Sequence, residues 1–269
     1  MDTTHKKQDL CLLRDDSSGV ATLTLNRPDT FNPLSQEMLV ALQSELDCIA
    51  TDASVRVVVL AAKGKAFCAG HDLKEMCAHP DKNYYDELFH QCSRMMISIN
   101  KMPQPVIAKV QGVATAAGCQ LVGACDLAVA VDTARFATSG IRYGLFCSTP
   151  AVSVSRNLSR KQAMEILLTG EFISATIAER QGLINRVVPD DKLDDTVKEL
   201  ADAIIAKSAV AVSMGKEMFY KQLEMSMEEA YTYAGEVMAC NMMDYDAQEG
   251  FKAFIEKRKP VWKHGIESD

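Results

Sequence analysis

The chain has 269 residues, 48% apolar and 24% charged. That balance argues against wholesale disorder and suits one large domain with an appendage. The net charge of −7 is scattered along the chain; it argues against phosphate-backbone binding as the main task, so no nucleic-acid partner is expected. Nine cysteines form no CxxC pair, and no Cys/His cluster has zinc spacing, so reduced thiols without disulfides or metal are expected. The first ten residues, MDTTHKKQDL, show neither a secretory nor a transit pattern. The apolar stretch 106–131 is broken by Lys109, Gln111, Gln120 and Asp126. It reads as buried strand–turn–helix rather than a membrane span. The expected setting is a soluble chain in the cytoplasm, or the mitochondrial matrix if a transit segment has been removed.

Residues 20–26 (VATLTLN) alternate and are β-branched, which predicts a strand. Ser35 then caps a helix with Met38, Leu39, Leu42, Leu46 and Ile49 inward. Residues 55–62 (VRVVVLAA) suit a strand covered on both faces. A loop over 63–72 precedes a helix over 84–100, with Leu88, Cys92, Met95, Met96 and Ile99 inward. Pro103 and Pro105 force extended chain before a buried strand at 106–110. A small-residue segment, a short helix from about Cys119 and short strands at 126–131 and 135–137 follow. This alternation predicts an α/β domain. From Ser159 the chain is mostly helical. Ser159 and Ser174 are N-cap candidates, and Gly170 and Gly182 are helix stops. Ser226 with Glu229 and Asp246 with Glu249 have capping-box spacing. Residues 192–258 predict three or four helices.

Two loops stand out: Phe67-Cys68-Ala69-Gly70-His71-Asp72 and Gly112-Val113-Ala114-Thr115-Ala116-Ala117-Gly118. Each puts small residues between a buried strand and a helix start. Small side chains let a ligand approach the backbone, and a helix start leaves N–H groups free. Two such groups facing one point make an oxyanion hole. Tight strand–helix packing is the alternative use of the same residues. No GxGxxG, GK[ST] or GxSxG motif is present, so dinucleotide, P-loop and nucleophile-elbow chemistry are not expected.

The order of segments resembles the crotonase, or enoyl-CoA hydratase/isomerase, superfamily. The matching pieces are LNRPDTFNPLS (25–35), VRVVVLAAKGKAFCAGHDLKEM (55–76), PQPVIAKVQGVATAAGCQLVGACDLAVA (103–130), RFATSGIRYGLFCSTP (135–150), LLTGEFISATIAERQGLINRVVP (167–189) and EGFKAFIEKRKPVW (249–262). AGHDLKEM and GLFCSTP are most similar to the enoyl-CoA hydratase domain-containing protein 3 group. The resemblance implies a spiral of repeated ββα units over 1–190 and a C-terminal helical trimerisation region over 191–269, as a homotrimer or dimer of trimers. It implies an acyl-CoA thioester as ligand, with no separate cofactor because coenzyme A is part of the substrate. The thioester oxygen would accept N–H bonds from His71 and Ala117. Ala69, Gly70, His71, Asp72 and Leu73 match the adenine-binding segment, and Lys257, Arg258 and Lys259 match a region near CoA phosphates. By the same resemblance, Ala117, Gly118 and Gly140 would line the acyl site.

The chain departs from the family at its acid/base positions. The two glutamates that hold and activate water in the hydratases match Gln120 and Gly140 here. A glutamine takes up no proton near neutral pH, and a glycine has no side chain. Three readings follow: a hydratase/isomerase-type enzyme with a substitute base, with His71, Tyr143 and Cys147 nearby; a decarboxylase of malonyl-type thioesters that needs only enolate stabilisation; or a non-catalytic acyl-CoA binder. Gln120 is read as hydrogen-bonding an acyl group or a water. Restoring both carboxylates, Gln120→Glu with Gly140→Glu, is expected to restore water addition unless Gly140 holds a backbone angle that glutamate cannot adopt.

Overall fold

A computed structural model describes residues 10–264; the leader-free start read in the sequence falls on residues 1–9, outside them. Strand β1 (Leu12–Ser17) and β2 (Val20–Leu25) form an antiparallel hairpin with Leu12 opposite Leu25 and Ser17 opposite Val20. Its two-residue turn, Ser18-Gly19, has φ of 51° and 80°. Both are left-handed, as the twist of a tight hairpin requires. The polar sequence of β1, LLRDDS, hid this strand from periodicity.

Helix α1 (Gln36–Ala50) begins where Ser35 accepts from the Met38 amide at 3.2 Å, and it buries the five expected residues. Strands β3 (Val57–Ala62), β5 (Val106–Val110), β7 (Leu127–Val131) and β10 (Arg186–Val188) continue the sheet in the order β1-β2-β3-β5-β7-β10. Every pairing after the hairpin is parallel. A parallel sheet is covered on both faces, which is why these strands read as apolar runs.

A second sheet has the order β4-β6-β8-β9, from β4 (Ala66–Cys68), β6 (Val113–Thr115), β8 (Arg135–Ala137) and β9 (Ile173–Ser174). The chain therefore repeats one move. β3, β5 and β7 lie in the large sheet; β4, β6 and β8, next in sequence to each, lie in the small one. Helices follow: α2 (Leu73–Ala78) and α3 (Lys82–Lys101) after β4, α4 (Ala117–Ala124) after β6, and α5 (Ser148–Asn157) after β8. This is the spiral of ββα units.

Helices α6 (Arg160–Thr169) and α7 (Ala175–Gln181) start at Ser159 and Ser174 and end at left-handed Gly170 and Gly182. Helix α8 (Leu193–Ile205) buries Leu193, Val197 and Ala201 and packs on β3, β5 and β7. Beyond it lie α9 (Ala209–Gln222), α10 (Met227–Met243) and α11 (Tyr245–Ile255). Ser226 and Glu229 form the expected capping box. The second expected box is overturned. Asp244 caps α11 by accepting from the Asp246 amide at 2.8 Å. Asp246 is 1% exposed and accepts from the Ser208 hydroxyl and the Lys263 and His264 amides. Glu249 instead receives both arms of Arg258, at 2.5 and 2.8 Å. Tertiary partners outcompete the local box because they satisfy a buried charge.

Among the described residues, all nine cysteines are free, no group of three or more His, Cys, Asp or Glu could hold a metal, and no helix is long and apolar enough to cross a membrane.

One buried ion pair ties α9 to the core. Lys216 Nζ donates to Asp126 at 2.6 Å and to the Ile99 and Gln104 carbonyls at 2.8 Å. Tyr220 donates to the other Asp126 oxygen, which leaves both charges satisfied at 7% and 15% side-chain exposure. Removing one partner strands the other charge away from water. Lys216→Met is therefore expected to lower unfolding free energy by about 3 to 5 kcal/mol in denaturant titrations. An unchanged midpoint would refute this.

Candidate functional site

The small sheet brings the two small-residue loops together. β4 and β6 pair in parallel, with a register shift between Ala66 and Cys68. Ala69-Gly70-His71 leaves β4, and Ala116-Ala117-Gly118 leaves β6, on the same side. Gly70 sits at φ +95°. A Cβ on it would lie 2.9 Å from the Ala116 Cβ and 3.2 Å from the Ala117 nitrogen. A Cβ on Gly118 would lie 2.1 Å from the Cys68 carbonyl oxygen. Both glycines are demanded by this approach of backbone to backbone.

The first loop is held from the α1 side: the Leu34 amide donates to the Gly70 carbonyl at 2.8 Å, and the Ala69 amide to the Phe31 carbonyl at 3.0 Å. The second is held from β8, where the Ala137 carbonyl accepts from the Ala116 amide at 3.0 Å. Among the described residues, neither the His71 nor the Ala117 amide donates to the protein. Ala117 is the first residue of α4, where an N–H has no intrahelical partner and the helix dipole favours negative charge.

The structure separates the side chains that follow Gly70. Asp72 is the N-cap of α2, accepting from the Lys74 and Glu75 amides, and Glu75 accepts from the Gln36 amide at 3.1 Å. Both carboxylates are spent at helix starts, Asp72 on α2 and Glu75 on α1. Leu73 is 62% exposed. The His71 ring lies 5.4 Å from the Phe89 ring, and Nδ1 is 3.2 Å from the Leu34 carbonyl oxygen. An acceptor there fixes the hydrogen on Nδ1 and leaves Nε2 as a lone pair. Nε2 is buried without a partner. Burial pushes the ring's pKa below its ordinary value, so the imidazole is neutral at pH 7.

Gln120 is the fourth residue of α4 and 4% exposed. One turn from Ala117, it lies on the same helix face, and helix side chains lean toward the N-terminus. Its Oε1 is buried with no partner. Gly140 reaches the same neighbourhood because β8 runs beside β6 and Ser139 accepts from Thr115 Oγ1 at 2.7 Å. Its φ is not left-handed, so backbone angle is not what excludes a glutamate. Space excludes it: a Cβ there would lie 2.6 Å from the Leu145 carbonyl oxygen and 2.8 Å from Cys147 Sγ. Tyr143 points away, 80% exposed. Arg258 of the basic run is held by Glu249 and Glu256.

Two features had no separate signal in the sequence. The first is the contact made by Cys147, itself a candidate from its place in the chain, whose sulfur accepts from the Gly140 amide at 3.3 Å; a contact across these seven residues follows no period. The second is Ala116, at φ 51° and ψ −121°, a conformation that costs a non-glycine residue about 1 to 3 kcal/mol. It turns the chain so that α4 starts at Ala117.

Set beside known proteins, the chain has the same sequence pattern and fold throughout. A family model described as enoyl-CoA hydratase/isomerase matches residues 15–265. The chain belongs to that family, within the crotonase superfamily. Inside it, the chain resembles mitochondrial enoyl-CoA hydratase domain-containing protein 3 of Xenopus laevis, 46% identical over 91% of this chain and 84% of the relative. Two crystal structures share the fold. One, an enoyl-CoA hydratase of Mycobacterium smegmatis, is 58% identical at TM-score 0.93, covering 94% of this chain and 98% of that one. Human enoyl-CoA hydratase domain-containing protein 3 is 44% identical at TM-score 0.91, covering 94% and 100%.

Ala116→Gly should relieve the strained turn without touching either free amide. The expected gain is about 1 kcal/mol in unfolding free energy, the strain less the entropy cost of glycine. Loss of stability in the same measurement would show that Ala116 is not strained.

Proposed function

We propose that this chain binds an acyl-CoA thioester with the thioester oxygen between the His71 and Ala117 amides. The carrying observation is the pair of unpaired N–H groups on loops whose backbones touch at Gly70 and Gly118. Family membership supports the ligand class. Ala69 to Leu73 would receive the adenine, Gln120 would hydrogen-bond the acyl group or a water, and Gly140 would border the acyl carbons. No separate cofactor is called for. The mitochondrial names of the vertebrate relatives favour the matrix over the cytosol.

In this reading water addition is not the reaction. Gln120 offers an acceptor but no proton uptake, and Gly140 offers nothing. Each acid–base group contributes about a hundredfold to ten-thousandfold. Crotonyl-CoA hydration is therefore expected to run at least about a hundredfold slower than in a family member with both glutamates. The effects need not multiply, because such groups act as a unit. Gln120→Glu with Gly140→Glu is not expected to restore it, since the Leu145 carbonyl and Cys147 occupy the space. Ala117→Pro removes one donor at a helix position that accepts proline, and should weaken turnover of any thioester that does react by about 100- to 1,000-fold. Rapid hydration by the unmodified chain would overturn this reading.

The same two replacements favour chemistry that needs only a held enolate. A malonyl-type thioester loses carbon dioxide without prior deprotonation, and the two amides would stabilise the enolate oxygen. Assembly belongs to the proposal too. No apolar residue of α9 or α10 is buried, and Met227, Tyr231, Met238 and Met243 are each more than 70% exposed. Such a face suits burial against further copies of the chain. Light scattering is expected to give three or six times the 29.5 kDa chain mass; a monomer at micromolar concentration would reject it.

A further inference from the structure

We propose that Cys147 is the proton donor of this site, in place of the missing glutamate. The proposal rests on the thioester-binding reading above. Its ground is position. Cys147 Sγ lies 2.8 Å from where a Cβ on Gly140 would stand. The thiol thus occupies the room in which a side chain at 140 would begin. It comes from the start of α5 instead, as the N-cap residue of a ten-residue helix.

The surroundings suit a group that gives up a proton and recovers it. The Gly140 amide donates to the sulfur at 3.3 Å, and the Ile141 amide acts in the same sense. Backbone N–H groups and a helix start stabilise a thiolate once it forms. Burial acts the other way and pushes the resting thiol up, so it carries its hydrogen at neutral pH.

Gln120 marks a ligand independently. It is 4% exposed, and its Oε1 is buried without a partner. A buried acceptor left unpaired costs free energy that a bound donor recovers. α4 packs on α5, with Ser153 Oγ donating to the Gln120 carbonyl at 3.1 Å. The Cys147 sulfur meets the Gly140 amide, and Ser139 beside Gly140 meets Thr115, two residues before Ala117, so the thiol stands on a segment that adjoins the loop carrying the free Ala117 amide.

For a 2-carboxyacyl thioester the step balances. The bond between the α-carbon and the carboxylate breaks, and carbon dioxide leaves. The electron pair moves into the thioester as an enolate, its oxygen held by the His71 and Ala117 amides. The enolate collapses, the S–H bond breaks, and the α-carbon takes the proton. The thiolate, held by the two amides, then takes a proton from water.

The test uses the full chain with malonyl-CoA in heavy water, following acetyl-CoA and its deuterium content by mass. Butyryl-CoA binding is measured in parallel by calorimetry. Cys147→Ala and the closer Cys147→Ser should each bind butyryl-CoA like the unmodified chain and release acetyl-CoA at least about 100-fold more slowly. The unmodified chain should also slow as pH rises through the thiol's titration. If the unmodified chain binds no CoA thioester, the underlying reading fails. If it binds but forms no acetyl-CoA, or if both variants keep its rate, the role of Cys147 is overturned. Should Cys147→Ala fail to fold, Cys147→Ser decides, because its hydroxyl keeps the amide contacts but holds its proton too tightly to replace the thiol.

Discussion

The approach of Gly118 to the Cys68 carbonyl is the contact on which the site depends. A Cβ at Gly118 would stand 2.1 Å from that oxygen, so any side chain would drive the start of α4 away from β4. Everything near the free amides follows from that contact. The parallel pairing of β4 and β6 sets the loops side by side, and Gly70 lets them close. Ala116 turns sharply enough to begin α4 with an unpaired N–H.

Helix α4 is fixed at its other end as well. The chain leaves it through Cys125 into Asp126, which is gripped by Lys216, Tyr220 and the Val106 amide. The helix that offers a free N–H at its start is thus anchored to the large sheet and to the C-terminal helices at its finish. A dipole held rigidly at both ends needs no reorganisation when charge develops beside it, the condition under which such donors act most strongly. The C-terminal region is accordingly more than an appendage to the spiral: α8 covers the large sheet, and α9 pins the helix of the site.

The departures at 120 and 140 differ in kind. At Gln120 an isosteric amide stands in a space that would accept a carboxylate. At Gly140 the space itself has been filled, by the Leu145 carbonyl and the Cys147 sulfur. The first change alters chemistry and leaves shape alone; the second alters shape. Family membership fixes fold and ligand class, while the reaction rests on particular side chains.

The sequence by itself determined the elements that carry a period or a cap. The buried parallel strands, the stripes of α1 and α3, and the Ser35, Ser159, Ser174 and Ser226 starts were legible, because burial and capping are local in the chain. The two small-residue loops were legible too, as runs without side-chain bulk. Strand β1 was not, since one exposed face and a polar sequence gave no alternation to read. Nor were the roles of Asp246 and Glu249, which sequence spacing assigned to a helix start and long-range partners claimed instead. Only the tertiary structure decided that Glu75 accepts from the Gln36 amide, that the His71 ring turns to Leu34 and Phe89, and that Cys147 fills the room at Gly140. Each of these depends on chain segments brought together by the two sheets, and no local pattern records a contact that only the finished fold creates.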